Sequence, residues 1–381
     1  MAGRASNNEG SLYQRSSDGL WVGAITLGYD DQGHAKRKTV SAKTRAAARK
    51  KLQALQRTID DGLPPPDDRL TVADLLDLWL KDVVPLRVTA STLANYTSVV
   101  DNHIKPALGR KRLSKLTDDD VQRFIRIKLD DGLSTRTVRL LRSTLVQVLN
   151  FAVSRGRVPR NVAALTQGPK LTAHKESRDL SVDEAKILIK ALEGERLEAL
   201  YLLRLISGMR PGEGFGLHWS HLDLESGTVR VSQALSRQPG GNVIADGKTH
   251  RKGWRTVPLA PPVVEALRLH KERQDKERSS LGEAWQENGL VFCTPIGTPL
   301  DPDNERKAFY AVLERAGLGH LTPNELRHSA ASIMLAQGVP LEVVSEILGH
   351  TSIRITKDVY GHIGEGQRRG AADAIAGALW T

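Results

Sequence analysis

Leu203–Leu224 reads LRLISGMRPGEGFGLHWSHLDL. An apolar helical run stops at Ser207-Gly208, Pro211 offers the first position of a new helix, and Arg210 stands in the gap between them. An arginine at such a break can aim its planar fork out of the fold. Glu213, three residues on, can hold that fork by a charge-assisted hydrogen bond. Around this stretch the chain is mainly helical, from Ser181, which caps VDEAKILIKAL, towards the C-terminus. There is one interruption. From Leu222 to Leu259 the β-rich pieces GTVRVSQAL, GNVIA and WRTVPL alternate with Gly-rich turns, which predicts a small antiparallel sheet inside a helical domain.

Upstream, four capped helical patterns succeed one another: Thr71 before VADLLDLWLKDVV, Ser91 before TLANYTSVVDNHI, Thr117 before DDDVQRFIRIKL, and Ser134 before TRTVRLLRSTLVQVLNFAVSRG. Val138, Leu141, Leu145, Val148 and Leu149 recur at helical spacing, so one face of the last helix is apolar. Arg136, Arg139 and Arg142 lie off that stripe and can follow a phosphate backbone. Residues 156–180, with Pro159, Pro169 and Lys175, carry no sustained period and read as a linker. Leu63-Pro64-Pro65-Pro66 is a second, stiff one.

Before that proline run, Ser11 to Arg15, Leu20 to Tyr29 and Lys36 to Val40 read as short strands, and Thr44 as the cap of a helix reaching about Asp60. Gln32 to Ile59 holds nine Lys or Arg and no acid, in a chain whose whole formal excess is +11. The layout expected is therefore multidomain and mainly α. A small β-sheet plus helix module occupies 1–62, an all-α domain 68–158, and a mostly α domain with a small antiparallel sheet 175–381.

Composition narrows the chemistry. A basic balance with pI near 9.7 points to a polyanion, and the charge run of the first module, a solvated surface helix in its plainest reading, favours DNA through Lys36, Arg37, Lys38, Lys43, Arg45 and Arg49. The single cysteine, Cys293, excludes an internal disulfide framework and any cysteine-cluster metal site, and its apolar setting reads as a buried structural thiol. Trp219, Trp254 and Trp285 read as core. His218, His221, His320 and His362 have no metal-ligand spacing on one helix face, so no metal is expected. No run approaches the roughly 18 apolar residues of a membrane span, and the N-terminus lacks a secretory signal, so the expected compartment is the cytoplasm.

Taken singly, the polar residues beyond Leu203 say little. A Tyr can anchor a helix and a His can cap one. Their order says more. SGMRPGE, GKTHRKGWRTVPL, LRHSAASIM, LGHTSI and VYGHI follow one another as the motifs of the tyrosine recombinases, or phage integrases, which the third region resembles. The layout of the whole chain is similar to that of the larger phage integrases, with arm-binding, core-binding and catalytic domains.

The resemblance implies a DNA strand transferase that needs no cofactor. Arg210 and Arg327 would bind the scissile phosphate, His350 would donate a further hydrogen bond to it, and Lys248 would protonate the departing 5′ oxygen. Tyr360 would attack, leaving a 3′-phosphotyrosine. Where the family usually carries a histidine three residues before its second arginine, this chain has Asn324, which can hydrogen-bond but cannot accept the tyrosine proton. His328 points about a quarter-turn away, and the general base stays unassigned.

The implied partners are double-stranded DNA at core-type and arm-type sites, a homotetramer assembled on it, and a DNA-bending host factor with a directionality factor. The implied setting is a bacterial host, at its nucleoid. The apolar stripe Ala371, Ile375, Leu379 and Trp380 suits packing on a neighbouring protomer or within its own domain. Two other readings remain: a catalytically inactive architectural or regulatory DNA-binding protein, supported by Asn324 alone, and a resolvase of chromosome or plasmid dimers.

Overall fold

The computed structural model describes residues 10–29, 32–60, 69–170, 178–238, 240–246, 254–350, 352–354 and 356. It divides into two units, Met1–Ala173 and His174–Thr381.

The first unit opens with an antiparallel meander of β1 (Ser11–Gln14), β2 (Trp21–Tyr29) and β3 (Ala35–Ala42), followed by α1 (Arg45–Asp60). Thr44 Oγ1 accepts from the Ala47 amide at 3.3 Å, as a capping threonine should. Ile25, Leu52 and Leu55 form a small separate cluster between sheet and helix, with Val40 and Ile59 at its edge. Little apolar surface is buried here, and Lys36 and Arg37 stand exposed on β3.

A larger cluster is built by α2 (Val72–Asp82), α3 (Ala90–Val99), α4 (Lys105–Leu108), α5 (Asp118–Asp130), α6 (Thr135–Ser154) and α7 (Val162–Leu165). Thr71 with Asp74, and Thr117 with Asp120, form reciprocal capping boxes, and Ser134 accepts from the Thr137 amide at 3.2 Å. The α6 stripe Val138, Leu141, Leu145, Val148 and Leu149 is fully buried in that cluster.

Two local expectations shift. Helix α3 starts at Ala90, because Thr89 is the last extended residue, so Ser91 lies inside the first turn. Residues 156–180 are not featureless either. Asn161 caps the short α7, and Arg142 donates to the carbonyl oxygens of Thr166 at 2.6 Å and Ala164 at 3.4 Å, tying the segment to α6.

The second unit runs α8 (Val182–Leu192), α9 (Glu198–Ser207), α10 (Pro211–Phe215), β4 (Leu222–Asp223), β5 (Thr228–Val231), β6 (Gln233–Gln238), β7 (Gly241–Asp246), β8 (Arg255–Pro258), α11 (Pro261–Leu281), α12 (Pro302–Arg315), α13 (Glu325–Ala336) and α14 (Leu341–Leu348). It is mostly helical, as expected. The single expected sheet is two, β4-β5-β8 and the hairpin β6-β7. The strands part at the buried Ser232, beyond which β6 packs on α10 and buries Leu235 in the cluster that also holds Phe215. Among the described residues no helix is long and apolar enough to cross a membrane.

One buried polar contact organises this unit. Arg204 of α9, wholly inaccessible, donates to Glu305 Oε1 of α12 at 3.0 Å and to the carbonyl of Pro323, just ahead of α13. Burial lowers the basicity of Arg204 and raises the Glu305 carboxyl, so each charge depends on the other. Arg204→Met should lower stability by about 3–5 kcal/mol in chemical denaturation, by stranding Glu305. Arg204→Met combined with Glu305→Leu should recover most of the loss. A double variant no more stable than the single one would show that the pair does not act as a unit.

Candidate active site

Helix α9 ends at Gly208, whose φ of 61° is left-handed. A Cβ there would collide with the Leu348 side chain of α14, so only glycine lets the two helices meet at this point. The Gly208 carbonyl accepts from Nη1 of the buried Arg327, on the first turn of α13, at 2.8 Å. The end of one helix thereby fixes the guanidinium on another.

Two residues further, Arg210 is the extended cap of α10. Glu213 Oε2 accepts from its backbone amide at 2.9 Å and Oε1 from its Nη1 at 3.0 Å, while 41% of the side chain remains exposed. The fork is held on one side and open on the other.

Glu213 also takes the Arg255 guanidinium, from Nη1 at 3.3 Å and Nη2 at 2.9 Å. Burial pushes the Glu213 carboxyl up, but the hydrogen bonds and charges of Arg255 and then Arg210 outweigh it, leaving it ionised below the ordinary range.

His350 follows the left-handed Gly349 that closes α14; its amide donates to the Ser345 carbonyl at 3.1 Å, and its Nδ1 lies 2.7 Å from Thr356 Oγ1. Burial, then the charges of Arg327, Arg210, Arg255 and His328, push its pKa down to about 4. At neutral pH it is an uncharged imidazole among guanidinium groups. Asn324 sits exposed at the start of α13, where its carbonyl accepts from the Arg327 amide at 3.1 Å. His328 is half-buried, its pKa lowered by burial and by Arg327.

Arg210, Arg327 and His350 are thus brought together from three separate stretches of chain. Lys248 and Tyr360 lie outside the described residues, as does the apolar stripe Ala371 to Trp380. Arg255 is not singled out by the sequence, although the inward alternation of Arg255 and Val257 on β8, continued by Leu259 just past it, turns a cation inward where it needs a buried acceptor.

Other expected residues fall into two groups. Lys43, Arg45 and Arg49 are exposed near the start of α1, with Arg45 over the Trp21 ring at 5.5 Å, and Lys38 is half-exposed on β3. On α6, Arg136 and Arg139 are exposed, whereas Arg142 turns to the carbonyls of residues 164–166. Cys293 is buried, and Gln274 Nε2 lies 3.1 Å from its Sγ. Trp254, rather than filling the core, is 36% exposed beneath Arg230. Among the described residues no group of three or more His, Cys, Asp or Glu could hold a metal ion.

A cradle of guanidinium groups beside a neutral imidazole suits a phosphodiester, whose added negative charge in a displacement needs fixed donors. The comparisons with known proteins agree. Residues 178–366 match the model of the phage integrase family, and residues 71–129 that of the phage integrase N-terminal SAM-like domain. An integrase of Streptomyces ambofaciens is 34% identical over 365 residues, covering 94% of both chains. A XerC-like tyrosine recombinase of Caldanaerobacter subterraneus subsp. tengcongensis is 30% identical over 372 residues, covering 92% of this chain and 94% of that one.

The Tn1549 transposon integrase in complex with a circular intermediate DNA has a similar fold, with a TM-score of 0.68 at 19% identity over 81% of this chain and 100% of that one. A lambda integrase tetramer bound to a Holliday junction gives 0.58 at 21% identity, over 90% and 95%. With relatives aligned nearly end to end and Arg210, Arg327 and His350 brought into one cluster, the chain belongs to the phage integrase family, the tyrosine recombinases.

Proposed function

We propose that this protein is a site-specific DNA recombinase that integrates and excises a phage or other mobile element, with the cluster around His350 as its phosphate-binding site. The observation that carries the reading is the convergence of Arg210 and Arg327 on a neutral His350. The Tyr360 phenol oxygen attacks phosphorus, the bond to the 5′ oxygen breaks, and Lys248 protonates that oxygen. Arg210 and Arg327 bind the non-bridging oxygens. With the Thr356 hydroxyl donating to Nδ1 of His350, Nε2 carries the ring proton and donates to the phosphate. The 3′-phosphotyrosine conserves the energy of the broken bond, so a second strand reverses the step without a cofactor. The exposed Asn324 adds a hydrogen bond beside Arg327 and takes no proton.

Residues 68–158 clamp the core-type site with Arg136 and Arg139, while Lys36, Arg37, Lys38, Lys43, Arg45 and Arg49 of residues 1–62 hold arm-type sites. The protein works as a homotetramer on double-stranded DNA in the cytoplasm of a bacterial host, at its nucleoid, with a DNA-bending host factor and a directionality factor.

Incubation with DNA nicked near the cleavage point, followed by denaturation, should trap a covalent adduct that Tyr360→Phe abolishes. Arg210→Lys or Arg327→Lys should slow its formation about 10²- to 10³-fold. No adduct on any cognate site would establish the non-catalytic alternative.

Removing residues 1–62 should abolish integration and spare core-site cleavage. The logarithm of the affinity should fall with that of salt concentration by about 0.9 per neutralised phosphate, less steeply for the truncated chain. Equal slopes would mean that the basic module does not touch DNA.

A further inference from the structure

Nothing in the reaction proposed above employs Arg255. It nevertheless bonds to both elements that present the cluster's solvent-facing groups. Its side chain is only 6% exposed, and its guanidinium has two working edges. The Nη edge donates to both Glu213 oxygens, the carboxylate that also holds Arg210. The Nε edge donates to the Ile347 carbonyl at 2.6 Å, in the last turn of α14, three residues before His350. Gly349 turns left-handed over the same group, which fills the space a Cβ would need. One rigid planar side chain on β8 therefore spans from the cap of α10 to the close of α14.

We infer that Arg255 is a positioning residue for strand cleavage, setting Arg210 and His350 at a fixed separation by bridging Glu213 to the Ile347 carbonyl. The inference rests on the recombinase reading of this site. A lysine cannot do the same, because one ammonium has no second edge to offer α14 while it faces Glu213. Catalysis by pre-placed groups is sensitive to such losses, since misplacement by about 1 Å can cost about a hundredfold in rate. Arg255 also contributes charge. Among the described residues, the charged and titratable groups acting on His350 are Arg327 and His328 from α13, Arg210 from the α10 cap and Arg255 from β8. Position and charge can be separated, because a lysine keeps the second and loses the first.

The experiment uses the full chain and the nicked core-site DNA, with Arg255→Lys and Arg255→Met compared with wild type in single-turnover cleavage and in DNA affinity. Both variants should bind DNA within about twofold of wild type and cleave about ten- to a hundredfold more slowly. In parallel, ¹³C-labelled histidine NMR should place the His350 midpoint near 4 in wild type and in Arg255→Lys. In Arg255→Met it should move up towards the ordinary value of about 6.5, because removing a cation favours the protonated ring.

Wild-type cleavage by Arg255→Lys, or a loss of affinity as large as the loss of rate, would overturn the positioning role. An unmoved His350 midpoint in Arg255→Met would overturn its charge contribution. If the methionine variant does not fold, the lysine variant decides alone. If wild type itself gives no adduct, the recombinase reading fails, and the NMR midpoint still decides whether Arg255 faces His350.

Discussion

Like charges have to be held together before there is a phosphate to bind. Arg210, Arg255 and Arg327 all act on one imidazole. Two unit charges 4 Å apart repel by about 4 kcal/mol at an effective dielectric of 20, so a cluster of this kind does not assemble unaided. Glu213 offsets part of that repulsion. Its buried carboxylate accepts from the backbone and side chain of Arg210 and from both ends of the Arg255 fork. Arg327 is treated differently: its Nη1 is met by the carbonyl of Gly208, a dipole rather than a charge. Burial and then these charges push the His350 pKa down to about 4. An added proton would be a further cation among three.

The surrounding packing serves that assembly. Gly208 must be glycine both for its backbone angle and because Leu348 occupies the place of a side chain, so the helix end that holds Arg327 is also the surface on which α14 rests. One turn earlier on α9, Arg204 donates to the Pro323 carbonyl and to Glu305, fixing where α13 begins. Burying such a pair gains little net stability in general, yet removing one partner leaves the other charge uncompensated in the core. The strands contribute in the same way, since β8 is short and its first residue already reaches across to the end of α14.

What could be read from the sequence was what depends on neighbours along the chain. Thr71, Thr117, Ser134 and Ser181 all cap the helices expected of them, because an N-cap hydrogen bond spans three residues. The α6 stripe was legible for the same reason, and so was the Arg210–Glu213 contact. What could not be read depends on partners far away. Arg142 and, at 3.5 Å, Arg139 both donate to carbonyls twenty to thirty residues on, which their spacing on α6 does not reveal. Arg255 binds across more than forty residues to Glu213 and more than ninety to Ile347. The parting of the two sheets at Ser232 follows from where α10 lies, which no local pattern encodes.

Asn324 raises the question of where the attacking phenol's proton goes. An amide accepts no proton at neutral pH, and its exposed position at the start of α13 suits a hydrogen-bond donor. His328 is half-buried, and burial and then Arg327 lower its pKa, which makes it a weaker base. The cations that, after burial, help push His350 down to about 4 offer another answer. A phenol entering their field on the proposed mechanism is stabilised as phenolate by the same cations, in the direction opposite to the effect of burial. A dedicated base then contributes less, and the proton can pass to water as the phosphate arrives. On this argument the guanidinium groups do two jobs, activating the nucleophile and stabilising the phosphorane-like charge. An asparagine in place of a histidine is then compatible with cleavage, and the stringent requirement falls on the geometry that Glu213 and Arg255 impose.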